Sequence, residues 1–277
     1  MRINRLLIAL LLTAGALTGA AGAQTVLEGP LVQGGLVIGQ TDPGAEIVFN
    51  GAPLMVSPAG KFLFGFDRDH DGPATLAITS PGGQVEERSL KVEKRAYNIQ
   101  RIDGLPPKYV SPPAEELPRI KQEGRQKRAA RAFRTAEEWF ASGFAWPAYG
   151  RISGVFGSQR FYNGEPRRPH YGVDVAGPAG APVHAPAPGI VRLADANFYF
   201  EGGVIFIDHG HGLTSVLMHL GSVEVEEGAQ VAQGDLVGTI GATGRATGPH
   251  VDWRMYWGKT HVDPAQLVPP MDTAQSP

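Results

Sequence analysis

The sequence predicts an all-β dominated protein: two β-rich modules joined by a helical linker. Three observations carry that expectation. The 277 residues include 37 glycines and 23 prolines, and charged residues make up only 19%, a composition suited to short strands and frequent turns. Strand-like runs bounded by turn residues recur on both sides of a single helical stretch. The length also exceeds the roughly 100–200 residues that one core usually holds. A formal net charge of −2 leaves no basic footprint, so nucleic acid is not an expected partner.

Residues 1–23 read as a signal peptide. Arg2 and Arg5 give a positive start, residues 6–12 an apolar core, and Ala21-Gly22-Ala23 a small-residue cleavage site. Thr13, Gly15, Thr18 and Gly19 dilute the apolar run, which favours cleavage over a membrane anchor. The expectation is an exported protein, in the periplasm, with no stable membrane span after cleavage. The absence of cysteine fits that compartment and argues against a disulfide-stapled scaffold.

In residues 24–98, runs at 36–38, 45–49, 61–66, 75–78 and 89–92 alternate with turns such as Asp42-Pro43-Gly44 and Asn50-Gly51. This spacing predicts a small antiparallel β-sandwich, and it resembles the immunoglobulin-like modules that precede secreted bacterial enzymes. Asp67-Arg68-Asp69-His70-Asp71-Gly72 imitates the start of a calcium loop. Its twelfth position is Ile78, where such a loop needs a bidentate glutamate, so the stretch reads as a solvated turn.

Residues 99–142 read as a proline-rich linker and a basic helix. Pro106-Pro107 and Pro112-Pro113 predict a stiff extended segment. Ile120, Phe133, Ala136 and Phe140 recur at roughly helical intervals, with Gly124 as a weak point, so one helix or two short ones are expected. Six Lys or Arg between Lys121 and Arg134 form its solvated face; the sharper alternative is attraction to an anionic wall or membrane surface.

Residues 143–270 return to short strands, at 182–186, 189–192, 204–208, 214–218 and 235–240. No helical period is long enough for βαβ crossovers, so the sheet should be antiparallel. Residues 271–277 read as a flexible tail.

Two short stretches in this last module concentrate metal-binding side chains. One is His170-Tyr171-Gly172-Val173-Asp174 and the other His250-Val251-Asp252. Zinc takes nitrogen and oxygen donors at about 2.0–2.2 Å, but in a flat strand His170 and Asp174 would stand about 13 Å apart. Gly172 is therefore expected to bend the chain. His250 and Asp252 share one strand face, which sends Val251, Trp253 and Met255 to the core. Taken alone, His219 at the end of the 214–218 run reads as a core histidine. His209 and His211 read as turn residues, as do His184, His70 and His261, with His261 a reserve ligand.

Together these pieces resemble the lysostaphin-type, or LytM-like, zinc metallopeptidases. The matching segments are His170 with Asp174, the run Val175-Ala176-Gly177-Pro178-Ala179-Gly180-Ala181-Pro182-Val183, Met218-His219-Leu220, and Gly241-Ala242-Thr243-Gly244-Arg245-Ala246-Thr247-Gly248-Pro249-His250. The resemblance implies a metallopeptidase domain that binds Zn2+ and cuts peptidoglycan peptide stems. It implies metal ligation by His170 and Asp174 and catalytic roles for His219 and His250. Where the family has a second histidine as third ligand, this chain has Asp252. A carboxylate can take that place, leaving a formally neutral site instead of one at +1, with weaker Lewis acidity. The alternative is a degenerate domain that binds peptidoglycan or activates an amidase, in partnership with the cell-division machinery. Phe198, Tyr199, Phe200, Tyr256 and Trp257 are the expected groove aromatics.

Overall fold

The computed structural model describes residues 25–104 and 106–271, so the expected signal peptide and residues 272–277 lie outside the described residues. Strand accounts for 41% and helix for 11%, as the glycine- and proline-rich composition predicts.

In the first module, β1 (Val26–Glu28), β2 (Leu36–Gln40), β3 (Glu46–Phe49), β4 (Ala52–Pro53), β5 (Lys61–Gly65), β6 (Ala74–Thr79) and β7 (Val85–Leu90) make two antiparallel sheets, ordered β1-β2-β5 and β4-β3-β6-β7. Along β6, Ala74, Leu76 and Ile78 are buried while Thr75, Ala77 and Thr79 are not, the alternation of a strand with one covered face. Both sheets feed one core of Val37, Ile47, Phe49, Phe62, Phe64 and Leu76. Phe49 and Phe64 stack there at 4.4 Å.

The linker is structured. Residues 99–102 form β8 (Ile99–Ile102), followed by a single helical turn, α1 (Pro107–Val110), and by α2 (Leu117–Ala130). The helix starts earlier than expected, with proline in its first turn, and stops at Ala130. Phe140 lies beyond it, in a short 3-10 turn at Trp139–Ser142, and is fully buried in the core of the second module. The basic face is only partly solvated. Arg119 pairs with Glu123 at 2.8 Å, Lys127 pairs with Glu201, and Arg131 covers the Tyr256 ring at 4.3 Å.

The second module contains β9 (Arg151–Gly154), β10 (Gln159–Tyr162), β11 (Glu165–Pro166), β12 (Gly172–Ala176), β13 (Pro182–His184), β14 (Gly189–Phe198), β15 (Gly202–Asp208), β16 (Leu213–Val223), β17 (Gln230–Val231), β18 (Leu236–Ile240), β19 (His250–Trp257) and β20 (Thr260–Val262). The main sheet runs β17-β14-β15-β16-β19-β12-β9, with β13, β18 and β20 paired beside this path. Every pair in it is antiparallel. The expectation fails in the small sheet β11-β10-β8, where β8 runs parallel to β10. That pairing is possible because some fifty residues separate the two strands, enough for a crossover.

The modules share a boundary. Leu36 and Leu63 join the second module's core, and Phe49 meets Trp257 edge-on at 6.1 Å. Arg95 pairs with the buried Asp263 at 2.8 Å. The turn at 67–72 belongs to this boundary too: Arg68 Nε donates to Gly157 O at 2.7 Å, while Asp69 and Asp71 stay exposed.

Candidate metal centre and cleft

Asp174 on β12 and Asp252 on β19 are direct cross-strand partners. Two carboxylates placed so would repel, and what surrounds them offsets that repulsion. His170 joins them from the segment before β12. Its N–H donates to Ser158 O at 2.8 Å, and its carbonyl accepts from Gly157 N at 2.7 Å, so this segment hangs on the strand β10 side. His170, Asp174 and Asp252 offer ligand atoms within 4.8 Å of one another, and all three are buried. Among the described residues this is the only such group of three, so Asp67, Asp69 and Asp71 form none and His261 does not join it.

Gly172 does not make the bend. It sits inside β12 opposite Arg254 and has no positive φ. A Cβ at this position would lie 2.5 Å from Asp252 Oδ1 and 2.6 Å from Arg254 Cγ. Its function is space for those two side chains; His170 lies just outside the strand and is held in place by Gly157 and Ser158.

The donor atoms divide into free and engaged ones. His170 Nδ1 and Nε2 and Asp174 Oδ1 are buried and have no hydrogen-bond partner. His170 Nε2 stands 3.1 Å from Asp174 Oδ1 without the alignment of a hydrogen bond. Buried polar atoms left this way are costly, and donors converging without bonding each other fit a divalent cation. Asp174 Oδ2 accepts from Arg160 Nη2 at 2.6 Å. Arg254 grips Asp252 through Nε, at 3.1 and 3.2 Å to the two oxygens, and through Nη2 at 2.7 Å to Oδ2. Each oxygen keeps lone-pair capacity, so the set still fits a metal, with both arginines as outer partners. Sequence reasoning missed this arginine pair, and it changes the charge arithmetic. Two carboxylates and two guanidiniums already cancel, so a divalent ion would bring the site to a formal +2 instead of neutral.

Burial holds the His170 pKa below its usual value, against the pull of Asp174. Burial alone would raise the Asp174 and Asp252 carboxyls. His170 and Arg160 outweigh it for Asp174, and Arg254 and His170 for Asp252, so both are lowered and ionised.

His219 and His250 complete the group. β16 does not end at His219 but continues to Val223. Met218 and Leu220 face the consecutive residues Val204 and Gly203, so His219 is the extra residue of a β-bulge, with φ +64°. Its Nδ1 donates to Thr243 O at 2.9 Å, and His250 Nδ1 donates to Gly248 O at 2.8 Å. A carbonyl can only accept, so the bond fixes the tautomer and leaves Nε2 of each ring bare. The rings are 4.8 Å apart, and His250 Nε2 is 3.9 Å from Asp174 Oδ1. Burial, then the neighbouring His250, pushes the His219 pKa down to about 4.

These groups open on a cleft of about 320 Å³ lined also by Gln100, Arg151, Arg160, Tyr162 and Arg245. None of the five expected groove aromatics lines it: Phe198, Tyr199 and Tyr256 are buried in packing and Trp257 faces Phe49. Gln100 and Tyr162 are the wall residues the sequence did not disclose; Gln100 Oε1 accepts from Arg160 Nε at 2.9 Å. Of the turn histidines, His209 is a core residue instead, fully buried with Nδ1 donating to Pro188 O and Nε2 facing Ser215 Oγ, both at 2.7 Å. His261 stacks on Tyr171 at 3.9 Å.

Comparison with known proteins agrees with this geometry. The profile of peptidase family M23 matches residues 168–264. Peptidoglycan DD-endopeptidase ShyA of Vibrio cholerae is 32% identical over 133 residues, 45% of this chain and 31% of that protein. Cell division protein DipM of Caulobacter vibrioides is 34% identical over 139 residues, 49% of this chain and 22% of that protein. The chain thus spans about a third or less of the length of these curated relatives. A Pseudomonas aeruginosa crystal structure assigned to peptidase M23 superposes with a TM-score of 0.63 at 29% identity, covering 85% of this chain and 94% of that one. The chain carries a peptidase family M23 domain at residues 168–264.

Proposed function

We propose that this chain is an exported, periplasmic zinc metallopeptidase that hydrolyses the peptide cross-links of peptidoglycan. The observation that carries the reading is the set of buried, unbonded donors on His170 and Asp174 beside two histidines whose Nε2 atoms are bare. The relatives named as peptidoglycan endopeptidases support the substrate class. In this reading His170, Asp174 and Asp252 hold the metal. When bound, zinc supplies Lewis acidity to the scissile carbonyl and to the attacking water. His219 and His250 are oriented by backbone carbonyls with Nε2 bare; one of them would take the proton released from water at its Nε2 and, as imidazolium, return that same proton to the leaving amine. Arg160 and Arg254 orient the two carboxylates.

One observation favours a second reading. Both aspartates are paired with arginine, so their charge is answered without a cation. On that reading the domain binds peptidoglycan, or activates an amidase in cell division, without cutting. Metal analysis of the purified mature chain, together with digestion of defined cross-linked muropeptides, separates the two. A near-stoichiometric metal and a new amine terminus are expected; neither metal nor cleavage would sink the peptidase and leave the binding domain.

A further inference from the structure

Arg245 enters the cleft on the loop between β18 and β19. Its guanidinium carbon sits 5.0 Å from the Tyr162 ring centroid and 4.7 Å from that of Phe200. Such contacts hold a flat cation by its faces and leave the N–H edge unused. Among the described residues its side chain makes no hydrogen bond and no ion pair. The acidic neighbour Glu201 gives Oε1 to Lys127 and makes no ion pair with Arg245, although its charge is felt there. A half-buried cation without a bonded anion is unfavourable, and this one lies in the same cleft as Asp174, His219 and His250.

The other charges of the cleft sharpen the point. Arg160 is spent on Asp174, whereas Arg151, exposed on β9, lines the cleft with no partner of its own among the described residues. The uncompensated charge of the cleft is therefore positive, and the group that answers two guanidiniums is a carboxylate, which arginine binds through paired N–H donors.

We propose that Arg245, with Arg151, forms a carboxylate-binding subsite that selects peptides carrying a free carboxylate beside the bond presented to His219 and His250. This rests on the peptidoglycan-peptide reading above and names which feature of the peptide is recognised. Because two rings already fix Arg245, little side-chain freedom is lost on binding.

The test is calorimetric titration of the mature full chain with a synthetic tetrapeptide stem bearing free carboxylates and with the same stem amidated, a readout independent of cleavage. The wild type should prefer the free acid by about tenfold or more, and the preference should shrink as salt is raised. Arg245→Gln should abolish the preference, and Arg245→Lys should retain part of it. Equal affinity of the wild type for both stems, or an intact preference in Arg245→Gln, overturns the subsite alone. If Arg245→Gln does not fold, an intact, salt-insensitive preference in Arg151→Gln overturns it. Binding of neither stem by the wild type removes the peptidoglycan reading and the subsite together.

Discussion

His219 occupies a backbone conformation that costs an ordinary residue about 1–2 kcal/mol, and the bulge that imposes it also turns the ring toward His250. Two substitutions divide those effects. His219→Ala should abolish muropeptide cleavage while leaving the metal bound, and loss of metal in that variant would refute the role given to the ring. His219→Gly should be more stable than His219→Ala by about 1 kcal/mol, because glycine accepts positive φ freely, as urea denaturation would show. A different coupling governs Asp252. Replacing it with histidine restores a familiar ligand but strands Arg254 opposite no carboxylate. Asp252→His is expected to lose about 3 kcal/mol of stability, and Asp252→His with Arg254→Leu to recover most of it while binding zinc more tightly. Denaturation and chelator competition measure both. If the single variant is as stable as the wild type, the Asp252–Arg254 pair has been overvalued.

At the scale of elements, the segment 99–142 is part of the second module. Phe140 fills that module's core, and Asp208 accepts from Thr135 and from Arg192, Nη2 at 3.1 Å. Phe140→Ala should cost about 3–5 kcal/mol, read by denaturant unfolding; a loss below 1 kcal/mol would return the segment to the status of a linker. Removing residues 24–142 would not lift a cover from the groove but would remove one of its walls and a core residue. Local signals made most strands legible: alternation in β6, and the apolar runs of β15 and β16. His170, Asp174, His250 and Asp252 stand out by their spacing, whereas His219 was legible only through the family resemblance. Arg160, Arg245 and Gln100 were not, since their roles depend on pairing between distant segments, which no local pattern encodes. Arg254 was within reach, two residues after Asp252 and so on the same strand face. Gly172 matters for a reason that lies in the neighbouring strand and not in its own: the space it leaves is filled by Asp252 and Arg254.

For the whole molecule, acid sensitivity follows from the core histidine under β16. Burial lowers the His209 pKa from 6.5 to about 4. Below pH 6.5 the unfolded chain takes up a proton that the folded one refuses. Its contribution is therefore complete above pH 6.5 and is lost as pH falls toward 4, by about 3 kcal/mol at most. The wild type should show this slope in stability between pH 6.5 and 4, and His209→Asn a shallower one; identical slopes would place the acid sensitivity elsewhere. The joining of the two modules has another outcome. The chain leaves the first module and within a few residues becomes β8, whose Gln100 braces Arg160, which in turn braces Asp174. The first module therefore runs directly into a strand that is also a wall of the cleft, so the two modules cannot be parted without taking a brace from Asp174.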